Sequence, residues 1–163
     1  MGDIVYVHYG HAVFNDSMFR KIEINRFYNK PNYGFWACRE NAKETWLDFI
    51  DGIMPVDRNK SIKFTLAENA KVLRINGVNE VLAIHKKYPL AKDKFCYEAD
   101  LAEDFTYEYM KCMINWVELA KDYDAVEVME TDESYYHLYG WDIPSICVFN
   151  KDVIVVSDET NLF

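Results

Sequence analysis

The stretch Ser61-Ile-Lys-Phe-Thr-Leu-Ala-Glu-Asn-Ala-Lys-Val-Leu-Arg-Ile75 contains two short β-rich segments separated by a polar turn. Residues 61–66 alternate between apolar and polar side chains, which is typical of a strand with one buried face. Residues 71–75 predict a second strand. Asn76 follows at once and is a good cap for a helix that uses Val78, Val81 and Leu82 and stops before Pro89. The segment therefore indicates a domain that mixes strands and helices.

Further strands are predicted on both sides of this stretch. Two precede it, at residues 4–8 and 34–38, and three follow it, at residues 125–129, 146–149 and 153–156. The last two are expected to form a hairpin around Asn150-Lys-Asp. Because strands cluster early and late around the helices, the sequence predicts an α+β fold of split, mostly antiparallel sheets with flanking helices, and not a doubly wound parallel sheet. No repeat or linker divides the chain, so residues 1–163 are expected to form a single domain.

The other helices are predicted from capping residues and helical spacing. Asn41 and Glu44 can form a capping box, which predicts a helix over residues 41–53 with Trp46 on its apolar face. Residues 104–122 predict the longest helix, and residues 132–139 predict a helical turn.

Composition restricts the classes of function. Half of the 163 residues are hydrophobic and 16% are aromatic, which excludes a disordered chain. Acidic residues outnumber basic ones 27 to 18, giving a net charge of −9. Nucleic acids and anionic membranes are held by clustered Lys and Arg, so the charge argues against both as partners. A basic protein partner remains compatible with it.

Targeting and metal signals are weak. Met1-Gly-Asp-Ile-Val has neither a basic nor a sustained apolar region, and the apolar runs are too short to cross a bilayer, so a cytoplasmic location is expected. The four cysteines show no C-x-x-C pair, which argues against a disulfide framework. His8 and His11 form an H-x-x-H motif, but no nearby Cys or His completes a metal site, and no metal is expected.

Three segments resemble one known superfamily. The first is Tyr6-Val-His-Tyr-Gly10, and the second is Gly34-Phe-Trp-Ala-Cys38 followed by Ala42 and Trp46. The third comprises the strands from Phe64 to Ile75, from Tyr123 to Val128 and from Ser145 onward. Together they resemble the ADP-ribosyltransferase-like superfamily, in particular its H-Y-E branch and small bacterial and phage members. The resemblance covers most of the chain.

The resemblance implies a binding site for NAD. His8, Tyr9 and Gly10 would hold the ribose and carboxamide, although the family has His directly before Gly and here Tyr9 intervenes. Trp36 and Trp46 would occupy the family's two aromatic positions. An electron-rich ring suits this task because the nicotinamide of NAD is cationic and aromatic.

At the catalytic end the chain departs from the family pattern. The family's catalytic Glu corresponds to Ser145, and Asp142 is the nearest acid. That Glu supports an oxocarbenium-like transition state, and a serine cannot supply its negative charge. The resemblance therefore puts Asp142 and Ser145 at the reaction centre of an NAD-dependent transferase. Activity persists if Asp142 reaches the reacting ribose, and otherwise only binding remains.

Two other functions fit the same sequence. One is a non-enzymatic acidic interaction or inhibitor protein, of phage or mobile-element type, that binds a basic partner. The other is an enzyme acting on a related nucleotide or an RNA 2′-phosphate. Ordinary structural roles are open as well: a hydrogen-bonded His8, a core Trp46 and a turn-forming Asp142.

Overall fold

The computed structural model describes residues 3–94 and 112–157, which form a mixed α+β fold built on a seven-stranded sheet. The strands are β1 (Tyr6–Tyr9), β2 (Phe35–Arg39), β3 (Ser61–Leu66), β4 (Val72–Ile75), β5 (Ala125–Val128), β6 (Ser145–Val148) and β7 (Ile154–Val156). All seven strands predicted from the sequence are confirmed. The helices are α1 (Trp46–Phe49), α2 (Val78–Lys87) and α3 (Trp116–Leu119). Short 3-10 turns cover Asp16–Met18, Lys92–Lys94 and Lys151–Val153.

The sheet is mostly antiparallel. Its strand order is β4-β5-β6-β2-β1-β3-β7, and within the described residues only β4 and β5 pair in parallel. Where the sequence predicts split sheets, the strands hydrogen-bond as one sheet in which β2 joins two groups. Residues 38–39 of β2 pair with β1, and residues 35–37 pair with β6.

Side chains alternate between the two faces of the sheet, and each face carries its own core. On one face Phe35, Ala37, Ile146 and Val148 belong to a cluster with Phe64. On the other face Val126, Val128 and Cys147 pack with α2, α3 and Trp141, and Trp36 lies against this second cluster. We call these the Phe35 face and the Trp141 face. The faces determine which site residues can meet.

The predicted terminal hairpin is wrong. β6 pairs with β2 and β5, whereas β7 pairs with β3 at the opposite end of the sheet. The four residues of β6 are all buried, so this strand takes a central position with a neighbour on each side. The 3-10 turn at Lys151–Val153 then directs the chain to the edge next to β3.

The helix predicted over residues 41–53 is reduced to one turn. Asn41 does not begin it; Thr45 does, with its backbone N–H and its hydroxyl both donating to Asp48 Oδ2, at 2.8 and 2.7 Å. Residues 40–45 form a loop instead. Since a four-residue helix has almost no internal hydrogen bonding, its position depends on packing rather than propensity.

The helix predicted over residues 104–122 is corrected in its described part. Residues 112–115 are not helical, because Ile114 bridges Pro89 and the backbone N–H of Asn115 donates to Tyr88 O at 2.8 Å. Helix α3 begins only at Trp116, where the side chain of Asn115 accepts from Glu118 N. The positions 104–111 of this prediction lie outside the described residues. In the described ranges no helix is long and apolar enough to cross a membrane.

Candidate functional site

A cleft of about 710 Å³ opens where β2 and β5 end and β6 begins. Its walls are the β2 terminus at Arg39, the loop 41–44, the segment 127–132 and the turn 142–145. The volume lies within the range of small-molecule sites. Asp142 and Ser145, the two residues expected at a reaction centre, both line this cleft.

The lining of the cleft is acidic. Five carboxylates line it, against two basic side chains: Glu44, Glu127, Glu130, Asp132 and Asp142, with Arg39 and Lys43. Two of the carboxylates are committed to the protein itself. Glu127 is bound by arginines, and Glu130 accepts from Glu133 N at 2.6 Å and from Ser134 Oγ at 2.8 Å. Glu44, Asp132 and Asp142 remain exposed and face solvent at the cleft.

Glu127 forms the floor of the cleft and is 2% exposed. Arg39 binds it through two nitrogens, Nε to Oε1 at 2.6 Å and Nη2 to Oε2 at 3.0 Å. Arg74 Nε and the Tyr6 hydroxyl also donate to Oε2, at 3.0 and 3.2 Å. Burial, with the adjacent Glu127 charge, raises the pKa of Tyr6 to about 12. The carboxylate is thus fully satisfied and holds both guanidinium groups at the ends of β2 and β4.

Ser145 is buried and its hydroxyl donates to Ile143 O at 3.0 Å. Asp142, three residues earlier, is exposed. The two side chains therefore share the cleft but differ in access to solvent. Ser145 is held by its own turn, while Asp142 is available to a ligand.

His8 and Tyr9 point to opposite faces of the sheet. His8 stacks on Phe35 with 4.5 Å between ring centroids, and its Nδ1 donates to Trp36 O at 2.7 Å. Because a carbonyl can only accept, Nδ1 carries the proton, and the neutral ring then accepts at Nε2 from His11 Nδ1 at 2.8 Å. Burial lowers the pKa of His8. The ring of His8 therefore lies on the Phe35 face, away from Ser145.

Tyr9 shares the other face with Cys38. Burial raises the pKa of the Tyr9 phenol, Cys38 raises it further, and a hydrogen bond from the Thr45 side chain opposes both. Thr45 begins α1, and burial raises the pKa of the neighbouring Cys38 thiol, which the backbone N–H of Trp46 opposes. Cys38 neighbours Ser145 across β2 and β6, because Ala37 pairs with Ile146. Tyr9, Trp46 and Ser145 are thus grouped around Cys38, with the loop 40–45 joining this group to the cleft.

Trp36 and Gly10 are held by local contacts. The Trp36 indole donates to Tyr33 O at 2.8 Å and its ring packs against Trp141, 4.8 Å between centroids. Gly10 has a φ of +97°, and its N–H donates to Lys60 O at 2.9 Å. Neither residue lines the cleft.

Trp46 packs edge-on against Phe49, and its indole nitrogen has no hydrogen-bond partner among the described residues.

Several residues of the site were not identified from the sequence, among them Arg39 and Glu127. A signal existed for Glu127: it is the single acid inside the apolar run Ala-Val-Glu-Val, where an unpaired carboxylate would be costly. Nothing in the sequence identified Arg39 and Arg74 as its partners. In the ranges that the structure describes, no group of three or more His, Cys, Asp or Glu is arranged to hold a metal.

Comparison with known proteins yields no relative. No protein-family model matches the chain, and no curated protein or solved structure does so either.

Proposed function

We propose that this chain is an NAD-binding protein of the ADP-ribosyltransferase-like type, with the cleft at the start of β6 as its reaction centre. One observation carries the proposal: Asp142 and Ser145 line a single cleft of about 710 Å³, and the loop 40–45 connects it to Tyr9 and Trp46. The family resemblance implies seven site residues, and five of them do not line the cleft. Two of those five, Tyr9 and Trp46, are joined to the cleft by the loop 40–45.

The acidic and basic side chains of the cleft suit different parts of NAD. Breaking the bond between ribose and nicotinamide leaves a positive charge on the ribose, which carboxylates stabilise. Asp142 is the exposed acid beside Ser145 and would take this role. Arg39 is bound to Glu127, so Lys43 is the exposed basic side chain of the cleft and would face the diphosphate. The ADP-ribosyl group would pass to a nucleophilic acceptor while nicotinamide leaves.

Among the aromatic residues, Trp46 and Tyr9 fit the cofactor better than His8. Both lie around Cys38, on the side of the sheet where Ser145 begins β6. His8 is engaged at both ring nitrogens, by Trp36 O and His11. In this proposal His8 supports the backbone beneath the site, and Tyr9 takes the place of the ligand-facing residue.

Calorimetry with NAD tests binding. Trp46→Ala is expected to weaken binding about tenfold, since stacking on one aromatic ring contributes roughly 1–3 kcal/mol. Trp46→Phe keeps a ring and should change affinity far less. An absence of heat at about 1 mM NAD, where even a binding free energy near −4 kcal/mol is measurable, removes the cofactor from the proposal. The non-enzymatic interaction protein then becomes the leading function.

Release of nicotinamide tests catalysis separately. Asp142→Asn should lower any cleavage rate about a hundredfold or more while NAD binding persists. The exposed acid Glu68 is a matched control, because it lies outside the cleft and Glu68→Gln should leave the rate unchanged. If the wild type cleaves nothing, Ser145→Glu restores the family's acid at its own position. Binding without cleavage in both forms indicates a catalytically degenerate NAD-binding protein.

A further inference from the structure

Exposed aromatic side chains cluster beside the acidic cleft. Phe27, Tyr28, Tyr135 and Tyr136 are 53, 41, 46 and 57% exposed. Tyr135 contacts Tyr136 and Tyr139 edge-on, at 5.3 and 5.8 Å between centroids, and Tyr139 contacts Tyr28 at 5.5 Å. We call these five residues the aromatic patch. Large contiguous apolar patches mark interaction sites, and Tyr is enriched at the energetically dominant positions of interfaces.

The aromatic patch is joined to the rim of the cleft along the chain. Asp132 lines the cleft, and Glu133 leads from it to Tyr135. On the other side Tyr139 is followed by Gly140 and then, two residues later, by the rim residue Asp142. A Cβ on Gly140 would lie 2.8 Å from Tyr28 Cβ, and the φ of Gly140 is +97°, so only glycine lets this turn meet Tyr28. Aromatic side chains and exposed acids are thus neighbours in the segment 132–142.

The charged residues around the aromatic patch indicate which kind of partner it would bind. Asp132, Glu133 and Asp142 are exposed; Asp132 and Asp142 line the cleft, and Glu133 lines a separate hollow with residues 76–80. Arg26 and Lys30 line a hollow of about 390 Å³ together with Phe27 and Tyr28. Lys30 Nζ already lies 5.4 Å from the Tyr28 ring centroid and 5.8 Å from that of Trp36, which is the distance of a cation–π contact. The rings therefore accept a cation in the chain itself.

We propose that the aromatic patch and the acidic rim form a docking surface for an arginine-rich cationic segment of a partner protein. Guanidinium groups stack on exposed Tyr rings and form bidentate pairs with carboxylates, and this surface offers both along the segment 132–142. The net charge of −9 steers a cationic segment toward it. The inference goes beyond NAD binding, and its test requires no NAD, so the two proposals fail independently.

Fluorescence anisotropy tests the docking surface with a labelled Arg-Gly repeat peptide. Saturable binding is expected, with no binding of a Glu-Gly repeat of the same length. The double variant Tyr135→Ser/Tyr136→Ser should weaken binding at least about tenfold, the range of interface residues that dominate affinity. Val155→Ser/Val156→Ser is the matched control, because these β7 side chains are also exposed and lie outside the surface.

A second pair of variants tests the acidic rim without altering the rings. Asp132→Asn/Glu133→Gln should weaken binding several-fold and reduce its dependence on salt, because charge pairs at the rim are screened. Glu68→Gln should change neither quantity. Circular dichroism of each variant verifies that the fold is retained.

Three results would overturn the inference. They are an unchanged affinity in the double tyrosine variant, equal binding of the Glu-Gly peptide, and no binding by the wild type at about 1 mM peptide. Sedimentation velocity adds a fourth: if the wild type is a dimer that binds no peptide, and Tyr135→Ser/Tyr136→Ser makes it monomeric, the occupant is a second copy of the chain.

Discussion

At the scale of single residues, Asn29 holds three separate segments together. It is fully buried, and its side-chain nitrogen donates to Cys112 O and His137 O at 2.7 and 2.6 Å. Its side-chain oxygen accepts from Ile114 N at 2.9 Å. Its backbone carbonyl also accepts from the Trp141 indole at 2.9 Å. The amide side chain supplies two donors and one acceptor in fixed directions, a combination that no other side chain of this size provides.

Asn29→Ala is therefore expected to lower the free energy of unfolding by about 3 kcal/mol or more, because each orphaned buried group costs roughly 1–3 kcal/mol. Asn29→Asp should be comparably harmful, since a carboxylate cannot donate to two carbonyls. Urea unfolding measures both. Asn79 is exposed on α2, and Asn79→Ala should stay within about 0.5 kcal/mol of the wild type. A small effect at Asn29 would show that the three segments are held by apolar packing alone.

His8 makes stability depend on pH. Burial lowers its folded-state pKa below the ordinary value of 6.5, with His11 adding to the decrease and the bond to Trp36 O opposing it. Below pH 6.5 the unfolded state then binds more protons than the folded state, so stability is present above this pH and is lost as the pH falls. Wild-type unfolding free energy should decrease from about pH 7 to about pH 5.

His8→Phe keeps a ring against Phe35 and removes the titrating group, so its loss of stability over the same range should be smaller. Urea titrations at both pH values measure the difference, from which the carboxylates common to both proteins cancel. Between about pH 7 and 8 the unfolding free energies of the two proteins should change with pH by equal amounts. Equal changes below pH 6.5 as well would mean that His8 titrates as it does in the unfolded chain.

At the scale of elements, the ends of β2, β4 and β5 are joined by charge. Glu127 of β5 is almost fully buried, whereas the side chains of Arg39 and Arg74 are 29 and 44% exposed. The carboxylate carries most of the desolvation, and the arginines can be rehydrated if it is removed. The network therefore aligns three strand ends at the cleft floor. The free-energy cost of removing its charges from water falls mainly on Glu127.

Two substitutions separate these contributions. Arg39→Met leaves the buried carboxylate with Arg74 and Tyr6 only and should cost about 3 kcal/mol, within the range for breaking a buried pair. Glu127→Gln should cost less, about 1–3 kcal/mol. The exposed pair Lys63–Glu40 is the control, and Glu40→Gln should cost less than about 1 kcal/mol. If Arg39→Met and Glu40→Gln have equal effects on urea unfolding, the network does not stabilise the strand ends.

At the scale of the whole molecule, the net charge of −9 governs association. Phosphate backbones require clustered cations, and in this chain Arg39 and Arg74 are bound to Glu127. We expect no measurable binding to random duplex DNA or RNA at physiological salt. A gel-shift assay is sufficient, and a tight, salt-sensitive complex would contradict the expectation. The peptide predicted to dock on the aromatic patch has the opposite charge, so both results follow from one cause.

Three of the four cysteines lie within the described residues, and burial determines their reactivity. Cys38 and Cys147 are free thiols in the structure and are buried, and Cys112 is buried as well. Burial raises the pKa of the Cys147 thiol well above its ordinary value, which makes it a poor nucleophile. The absence of a disulfide framework stays a prediction, and Cys96 lies outside the described residues.

The sequence by itself determined the positions of the strands. Alternating or continuous β-branched and aromatic runs, such as residues 61–66 and 125–128, depend on local pattern, and a local pattern is visible without knowing the neighbours. It likewise determined the helix after Asn76, because that helix has its own amphipathic face and a stop before Pro89, but its N-cap is Gly77 and not the predicted Asn76. The location of the cleft residues Asp142 and Ser145 next to one another followed from their sequence separation alone.

Tertiary structure decided which elements meet and which face each side chain occupies. The hairpin predicted between residues 146 and 156 failed because β6 is buried in the middle of the sheet, and burial on both sides outweighs the short connection. The helix over residues 41–53 shrank because Thr45, not Asn41, is its cap, leaving the loop that lines the cleft. One residue of register separates His8 from Tyr9, and in a strand that difference exchanges the two faces. The Glu127 network and the aromatic patch join residues far apart in the chain, and such partners are selected by packing, not by local sequence.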